Sequence, residues 1–125
     1  MIKQVEEATK TEAKPKLELR LAVCYAGKRD ILQATRRLCE KAKAGKIEPN
    51  AIDMTTFDGE LEAGNAPTPE LLIRTGGELR LSNYMIWHLA QAEYYFLPNL
   101  APEFTEHHFL DALRSFQQRD RNFGK

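Results

Sequence analysis

The hydrophobic and polar positions along this chain follow two different periods, one typical of strands and one typical of helices. The segment Leu17 to Cys24 alternates apolar and polar residues and then becomes continuously apolar, which predicts a strand that enters a core. From Arg29 to Ala44 the apolar residues recur at helical spacing, so a helix is expected there. Asp30 suits the first turn of this helix, because the helix dipole stabilises a carboxylate at that end. Gly45 suits the position just after its last turn.

The rest of the chain continues this alternation in shorter segments. We expect a short helix near Pro49 to Phe57 and buried strands at Leu71 to Ile73 and at Tyr94 to Phe96. A further helix between these strands is predicted to start near Ser82, and Thr105 is the expected N-cap of a last helix. The inward face of that last helix is predicted to carry four residues: Phe109, Ala112, Leu113 and Phe116. This order of elements predicts an α/β fold, a parallel sheet with helices packed on it.

Composition limits the classes of protein that fit this pattern. The chain has 125 residues, enough for one small domain, which we place at 17–125 after a polar N-terminal segment at 1–16. Lys and Arg together number 18, as do Asp and Glu, and this balance argues against a nucleic-acid-binding protein. The longest uncharged apolar stretch, Leu21 to Gly27, is too short to span a bilayer, and the N-terminal residues do not resemble a signal peptide. Cys24 and Cys39 are expected to be buried, reduced thiols.

The candidate chemistry lies where the strand at Leu71 to Ile73 ends. Ligands of open α/β sheets bind beyond the carboxyl ends of strands, and here Gly76 and Gly77 would let backbone amides approach an anion. Arg74 and Arg80 flank this turn with guanidinium groups that suit phosphate. Ser82, at the predicted helix start, would add free amides. The segment therefore predicts a diphosphate-binding site, and the alternative is an ordinary glycine turn with surface arginines and a capping serine.

Glu93 is the second candidate, because it extends the apolar face of the predicted helix from Ser82 by one turn. A carboxylate on such a face is costly unless it is paired or binds a metal. Two interpretations follow, a salt bridge with an arginine and a Mg²⁺ ligand, since Mg²⁺ prefers carboxylate and phosphate oxygens. His88, on the same helix, is expected to be solvated.

Three stretches of the chain resemble the cis-prenyltransferase family, the undecaprenyl or dehydrodolichyl diphosphate synthases. LLIRTGGELRLSNYMIWHLAQAEYYF is similar to the C-terminal signature of that family. LAVCYAGKRDILQA resembles its "NYGGR.DI" segment, and APEFTEHHFLDALRSFQQRDRNFG resembles its closing "F..AL..F..R.RRFG" segment. The resemblance covers most of the chain and implies the C-terminal half of the cis-prenyltransferase fold.

The resemblance also implies a reaction and a set of residues. Family members add isopentenyl diphosphate in cis to an allylic diphosphate, with Mg²⁺ as cofactor and diphosphate as leaving group. By position in the motif, Arg74, Arg80 and Ser82 would bind isopentenyl diphosphate, and Glu93 would contribute to the Mg²⁺ site. Homodimers or heterodimers are implied as well, with peripheral membrane association through the lipid product.

The chain departs from the family pattern in ways that affect this expectation. The "H…DGN.R" segment, whose aspartate handles Mg²⁺ and the allylic diphosphate, is not found in these residues, so no catalytic residue is assigned and the chain alone is expected to be inactive. Cys24, Ala26, Glu70 and Asn122 stand where the motifs carry Asn, Gly, Asp and Arg. A non-catalytic partner subunit of a heteromeric synthase is therefore the alternative function, and a generic phosphate-binding module is a third.

Overall fold

The fold joins four α-helices to a small parallel sheet in the part of the chain that the structure, a computed structural model, describes: residues 2–10, 17–64 and 66–121. The regular elements are α1 (Ile2–Thr9), α2 (Gly27–Lys43), α3 (Met54–Asp58), β1 (Leu71–Arg74), β2 (Glu93–Phe96) and α4 (Glu106–Gln117). Short 3₁₀ turns lie at Pro49–Ala51, His88–Gln91 and Ala101–Glu103. The fold class is therefore α/β, as the sequence predicts.

The two strands pair in parallel, so their carboxyl ends meet at one edge of the sheet. Leu71 lies opposite Glu93 and Arg74 opposite Phe96. α4 packs beside β2, and α3 packs beside α2. The strand predictions at Leu71 to Ile73 and at Tyr94 to Phe96 are confirmed, and residues 75–92 connect the carboxyl end of β1 to the amino end of β2.

The start of α2 is fixed by hydrogen bonds to distant segments. Gly27 N–H donates to the Asn83 carbonyl and Lys28 N–H donates to the Asn83 side chain, each at 2.8 Å. Gly27 also allows a close approach, because a Cβ there would lie 3.0 Å from a side-chain carbon of Ile86. The segment after β1 is therefore held against the N-terminus of α2.

Asp30 anchors the same end of α2 from inside. It is almost fully buried and accepts hydrogen bonds from the Tyr25 hydroxyl and the Glu62 backbone amide, each at 3.0 Å. Burial raises the pKa of the Tyr25 phenol, and the hydrogen bond to the Asp30 carboxylate raises it further. The carboxylate that the sequence placed in the first turn thus ties α2 to two loops.

A small apolar core lies between the sheet and these helices. Its buried members are Ala34, Leu38, Leu61, Leu89, Ala92, Leu97 and Ala112. Beside it the rings of Phe57 and Trp87 lie 4.6 Å apart, and Trp87 Nε1 donates to the Asp58 carboxylate at 2.5 Å. No helix in the described ranges is long and apolar enough to cross a membrane.

The strand predicted at Leu17 to Cys24 is not formed. The segment is irregular, and its four apolar side chains at alternate positions, Leu17, Leu19, Leu21 and Val23, are between 72% and 84% exposed. A strand needs a neighbouring backbone for its hydrogen bonds, and within the described residues β1 and β2 pair only with each other. The alternating pattern is present, but the described residues offer this segment no partner strand.

The helix predicted to start at Ser82 is also wrong. Residues 82–87 are irregular, and regular structure begins only at the 3₁₀ turn His88–Gln91. Met85 has a φ of +42°, which an α-helix does not allow, and Asn83 is used to hold the start of α2. Ser82 therefore provides no helix N-terminus for an anion.

The two longer predicted helices are confirmed with small changes. α2 begins two residues before the predicted Arg29, and Gly45, with a φ of +67°, takes the predicted position after its end. The helix expected near Pro49 to Phe57 is divided into a 3₁₀ turn and α3. Thr105 caps α4 as predicted, and Ala112 is buried on its inner face, whereas Phe109 is exposed.

Three polar or sulfur-containing residues lie in other environments than predicted. Cys24 and Cys39 are exposed free thiols, because one lies in the irregular segment and the other on the outer face of α2. His88 is buried rather than solvated, since the chain there turns inward beside Leu89. Asn122 lies outside the described residues, as do residues 11–16 of the predicted N-terminal segment, and the division at residue 17 stays a prediction.

Candidate functional site

A cavity of about 360 Å³ opens at the carboxyl end of β1. Its wall combines polar and apolar side chains: Leu72, Ile73, Arg74, Thr75, Leu81, Ser82 and Tyr84. The position agrees with the general preference of ligands for the carboxyl ends of parallel strands. A pocket with a few polar groups among apolar ones suits a ligand that has a charged head and a hydrocarbon tail.

Arg74 provides the positive charge of this cavity. It ends β1 and is half-buried, and its Nη1 donates to the Arg80 carbonyl at 2.5 Å. The backbone of Arg74 is fixed as well, because its carbonyl accepts from the Leu97 amide at 2.8 Å. A guanidinium carries five N–H donors, and no second acceptor for this one is found among the described residues. Arg74 is therefore anchored while donors remain for an anion.

Arg80 and Ser82 have different relations to the cavity. Ser82 lies on the wall beside Arg74, whereas Arg80 does not line it. The Arg80 guanidinium is exposed and forms an ion pair with Glu78. The structure therefore brings Arg74 and Ser82 together and joins Arg80 to them only through its backbone carbonyl.

Gly76 and Gly77 form the turn that follows Arg74. Both have left-handed backbones, with φ values of +93° and +73°, which glycine adopts without strain. Their amides donate to the Asn99 carbonyl at 2.7 Å and to the Leu97 carbonyl at 2.8 Å. Both amides therefore fasten the turn to the segment after β2, and their role toward a phosphate stays a prediction.

Glu93 does not continue a helix face, because it is the first residue of β2. It lies opposite Leu71, three residues before the level of Arg74, which corresponds to about 10 Å along the sheet. Its Oε2 accepts from Arg119 Nη1 at 2.7 Å. The salt bridge that the sequence left as one interpretation is thus formed, and the metal role of Glu93 stays a prediction.

Among the described residues, those around Glu93 do not form a complete Mg²⁺ site. The described residues contain no group of three or more His, Cys, Asp or Glu side chains that could hold a metal. Mg²⁺ is commonly bound through one or two carboxylates together with substrate phosphates and water. Glu93 alone does not meet this requirement, because it is paired with Arg119 and lies about 10 Å along the sheet from the level of Arg74.

Sequence reasoning missed three participants of this region. Thr75 and Tyr84 line the cavity, and Arg119 binds Glu93. Tyr84 lies two residues after Ser82, and this spacing could have indicated its place on the wall. The pairing of Arg119 with Glu93 joins residues 26 positions apart and leaves no local signal.

The sequence of this chain is similar to those of several diphosphate synthases. The prenyltransferase family model of undecaprenyl diphosphate synthases matches residues 1–124. Dehydrodolichyl diphosphate synthase 2 of Arabidopsis thaliana is 47% identical over 126 aligned residues, covering 99% of this chain and 40% of that protein. The geranylgeranyl-diphosphate-specific undecaprenyl diphosphate synthase of Methanopyrus kandleri is 44% identical, covering 99% of this chain and 45% of that protein. The chain thus spans less than half the length of these relatives.

Solved structures agree with this result. Lavandulyl diphosphate synthase from Lavandula x intermedia, in complex with dimethylallyl diphosphate, superposes with a TM-score of 0.80 at 43% identity. The match covers 83% of this chain and 45% of that one. A probable undecaprenyl diphosphate synthase from Campylobacter jejuni gives a TM-score of 0.66 at 31% identity over the same share of this chain. Sequence and structure together establish that the chain belongs to the cis-prenyltransferase family.

Proposed function

We propose that this chain carries the isopentenyl-diphosphate-binding half of a cis-prenyltransferase. The family synthesises polyprenyl diphosphates from isopentenyl diphosphate and an allylic diphosphate. In that reaction the double bond of the isopentenyl unit forms a bond to C1 of the allylic substrate, the allylic diphosphate leaves, and a proton is lost. The chain would bind and orient the isopentenyl substrate.

The observation that carries this proposal is the position of Arg74 on the cavity wall. Its guanidinium lies where a diphosphate would be neutralised, and the hydroxyls of Thr75 and Ser82 line the same cavity. Leu72 and Leu81 supply apolar wall for a short hydrocarbon chain. A generic phosphate site would not need this apolar part.

Arg80 would act as a second, outer cation for the diphosphate. Its pairing with Glu78 means that it must exchange one anionic partner for another before it binds the substrate. We therefore assign the larger part of the binding to Arg74. Mg²⁺, which the family uses, would neutralise charge on the diphosphate. The family motif implies that Glu93 is one of its ligands, although in this structure Glu93 is paired with Arg119.

The alternative function is a non-catalytic subunit that completes a synthase together with a second chain. Retention of Arg74 and Ser82 on one cavity wall favours a substrate-binding role, which a purely structural subunit does not require. In either case we expect the 125-residue chain alone to incorporate no labelled isopentenyl diphosphate, because no allylic-diphosphate site is assigned in it.

Calorimetric titration of isopentenyl diphosphate tests the binding role. Arg74→Ala should weaken binding about ten- to a hundredfold, the effect of losing hydrogen bonds to a charged group. Arg80→Ala should weaken it less. Arg36→Ala, which removes an exposed arginine of α2, is the matched control and should leave the affinity unchanged. Equal affinities of Arg74→Ala and the unmodified chain, with the fold intact by circular dichroism, would refute the proposal.

A further inference from the structure

An aromatic side chain, that of Tyr84, lines the cavity at the carboxyl end of β1. The proposed function assigns the charged and hydroxyl-bearing part of this wall to the diphosphate. Tyr84 belongs to the other part of the wall, together with three aliphatic residues: Leu72, Ile73 and Leu81. Tyr84 is 40% exposed, so its ring has surface that a ligand can cover.

The backbone on both sides of Tyr84 is held in a defined conformation. Asn83 accepts hydrogen bonds from the first two amides of α2, those of Gly27 and Lys28, each at 2.8 Å. Met85 has a φ of +42°, which a residue with a long side chain adopts only where its surroundings enforce it. The starting point of the Tyr84 side chain is therefore set by the N-terminus of α2.

The ring of Tyr84 is held by a second tyrosine. The rings of Tyr84 and Tyr25 are 5.7 Å apart and inclined at 78°, the edge-to-face arrangement that aromatic pairs prefer. Tyr25 is anchored in turn, because its hydroxyl donates to Asp30 at 3.0 Å and Asp30 is only 1% exposed. The other oxygen of Asp30 accepts from the Glu62 amide at 3.0 Å. A buried carboxylate thus supports the aromatic part of the cavity wall through one intervening ring.

We propose that Tyr84 is a specificity residue, whose ring contacts the hydrocarbon part of isopentenyl diphosphate, and that Tyr25 is a positioning residue, which holds that ring in place. This inference rests on the proposed function. Inorganic diphosphate, a product of the reaction, has the charged head of the substrate without its hydrocarbon chain. Arg74 attracts both ligands, so a preference for the substrate over this product must come from the apolar part of the wall.

Calorimetric titrations of the full chain with isopentenyl diphosphate and with inorganic diphosphate test Tyr84. Tyr84→Ala should weaken binding of isopentenyl diphosphate about tenfold, the scale on which apolar pockets discriminate, and should leave inorganic diphosphate unchanged. The unchanged ligand also reports that the site is still folded. Tyr84→Phe retains the ring and should retain the preference. A loss of affinity for both ligands in Tyr84→Phe would overturn the proposal, because it would assign the Tyr84 hydroxyl to the diphosphate.

The same two titrations test the positioning role of Tyr25. Tyr25→Ala should lower the preference for isopentenyl diphosphate about two- to tenfold, the worth of an edge-to-face pair, and Tyr25→Phe should restore most of it. If Tyr25 acts through Tyr84, Tyr25→Ala should have no further effect on the preference in a chain that already carries Tyr84→Ala. Additive losses of preference in the double variant would overturn the positioning role.

Phe109→Ala is the matched control, because Phe109 is an aromatic residue of similar exposure on α4, away from the cavity wall, and it should change neither affinity. An unchanged preference in Tyr84→Ala, with Arg74→Ala weakening both ligands, would overturn this inference and leave the proposed function standing. Binding of neither ligand by the unmodified chain would overturn both.

Discussion

Individual side chains decide how this site works, and Arg74 shows why one residue of a motif matters more than another. Arg74 and Arg80 were equal candidates in the sequence, because both are arginines beside a diglycine turn. The structure separates them by environment, since one is anchored on a cavity wall and the other is exposed and paired with Glu78. Such a difference depends on where the chain turns after β1, and spacing alone does not encode it.

His88 gives a prediction at the same scale, for stability. It is only 8% exposed, and neither ring nitrogen has a partner among the described residues. An unsatisfied buried polar group costs about 1–3 kcal/mol, so His88→Leu should raise the free energy of unfolding by about 1 kcal/mol or more. Urea denaturation measures this change.

The control for His88 is His107, which lies on the exposed side of α4. His107→Leu should change the free energy of unfolding by no more than about 0.5 kcal/mol, as is usual for surface positions. A clear loss of stability in His88→Leu would contradict this prediction, because it would show that the His88 imidazole contributes a stabilising hydrogen bond.

At the scale of elements, the sequence predicted those parts that local patterns specify. α2, α4 and both strands carry periodic apolar positions and local end signals, such as Thr105 and Gly45, and they form. The segment Leu17 to Cys24 has an equally clear pattern but no strand partner within the described residues. The segment after Ser82 has helical spacing, yet its hydrogen bonds to α2 and the left-handed Met85 override that preference. Both errors arise from tertiary contacts.

Tertiary contacts also explain which parts of the candidate site could be recognised from the sequence. The glycine turn, Arg74 and Ser82 could be recognised from the sequence, because chemistry and position coincide in a few residues. The use of the Gly76 and Gly77 amides and the pairing of Glu93 with Arg119 could not, since both depend on residues distant in the chain.

The anchoring of α2 gives a prediction for pH. Burial and the Asp30 carboxylate raise the pKa of Tyr25 above its ordinary value of 10.0. Because the folded state holds the phenol proton more tightly than the unfolded state, this contribution is complete below pH 10 and is lost as the pH rises above it. Tyr25→Phe should therefore show a smaller loss of stability above pH 10 than the unmodified chain.

Urea denaturation at a series of alkaline pH values checks this expectation. The difference between the two proteins should be constant near neutral pH and should shrink as the phenol ionises. Parallel pH profiles for Tyr25→Phe and the unmodified chain would show that the Tyr25 phenol titrates alike in the folded and unfolded states.

At the scale of the whole molecule, the exposed apolar surface is the dominant feature. Leu17, Leu19, Leu21 and Val23 are all more than 70% exposed and lie at alternate positions of one segment. Such unpartnered segments favour pairing with other chains. We therefore expect the isolated chain to self-associate with rising concentration, as measured by sedimentation velocity.

Charged substitutions in this segment should weaken the association. The double change Leu19→Lys and Val23→Lys should shift the distribution toward monomer. Met54→Lys, at an exposed position of α3, is the matched control and should not. A chain that stays monomeric at all concentrations would contradict the expectation.

The central claim is that isopentenyl diphosphate binds in the cavity beside Arg74. Hydrogen–deuterium exchange with mass spectrometry locates the binding site directly. With the substrate bound, peptides that cover β1 and residues 75–84 should exchange more slowly, because the ligand orders the walls of the cavity beside Arg74. Peptides from the middle of α2 should be unaffected, and Arg74→Ala should abolish the protection. Protection confined to α2 or α4, or persisting in Arg74→Ala, would contradict the account.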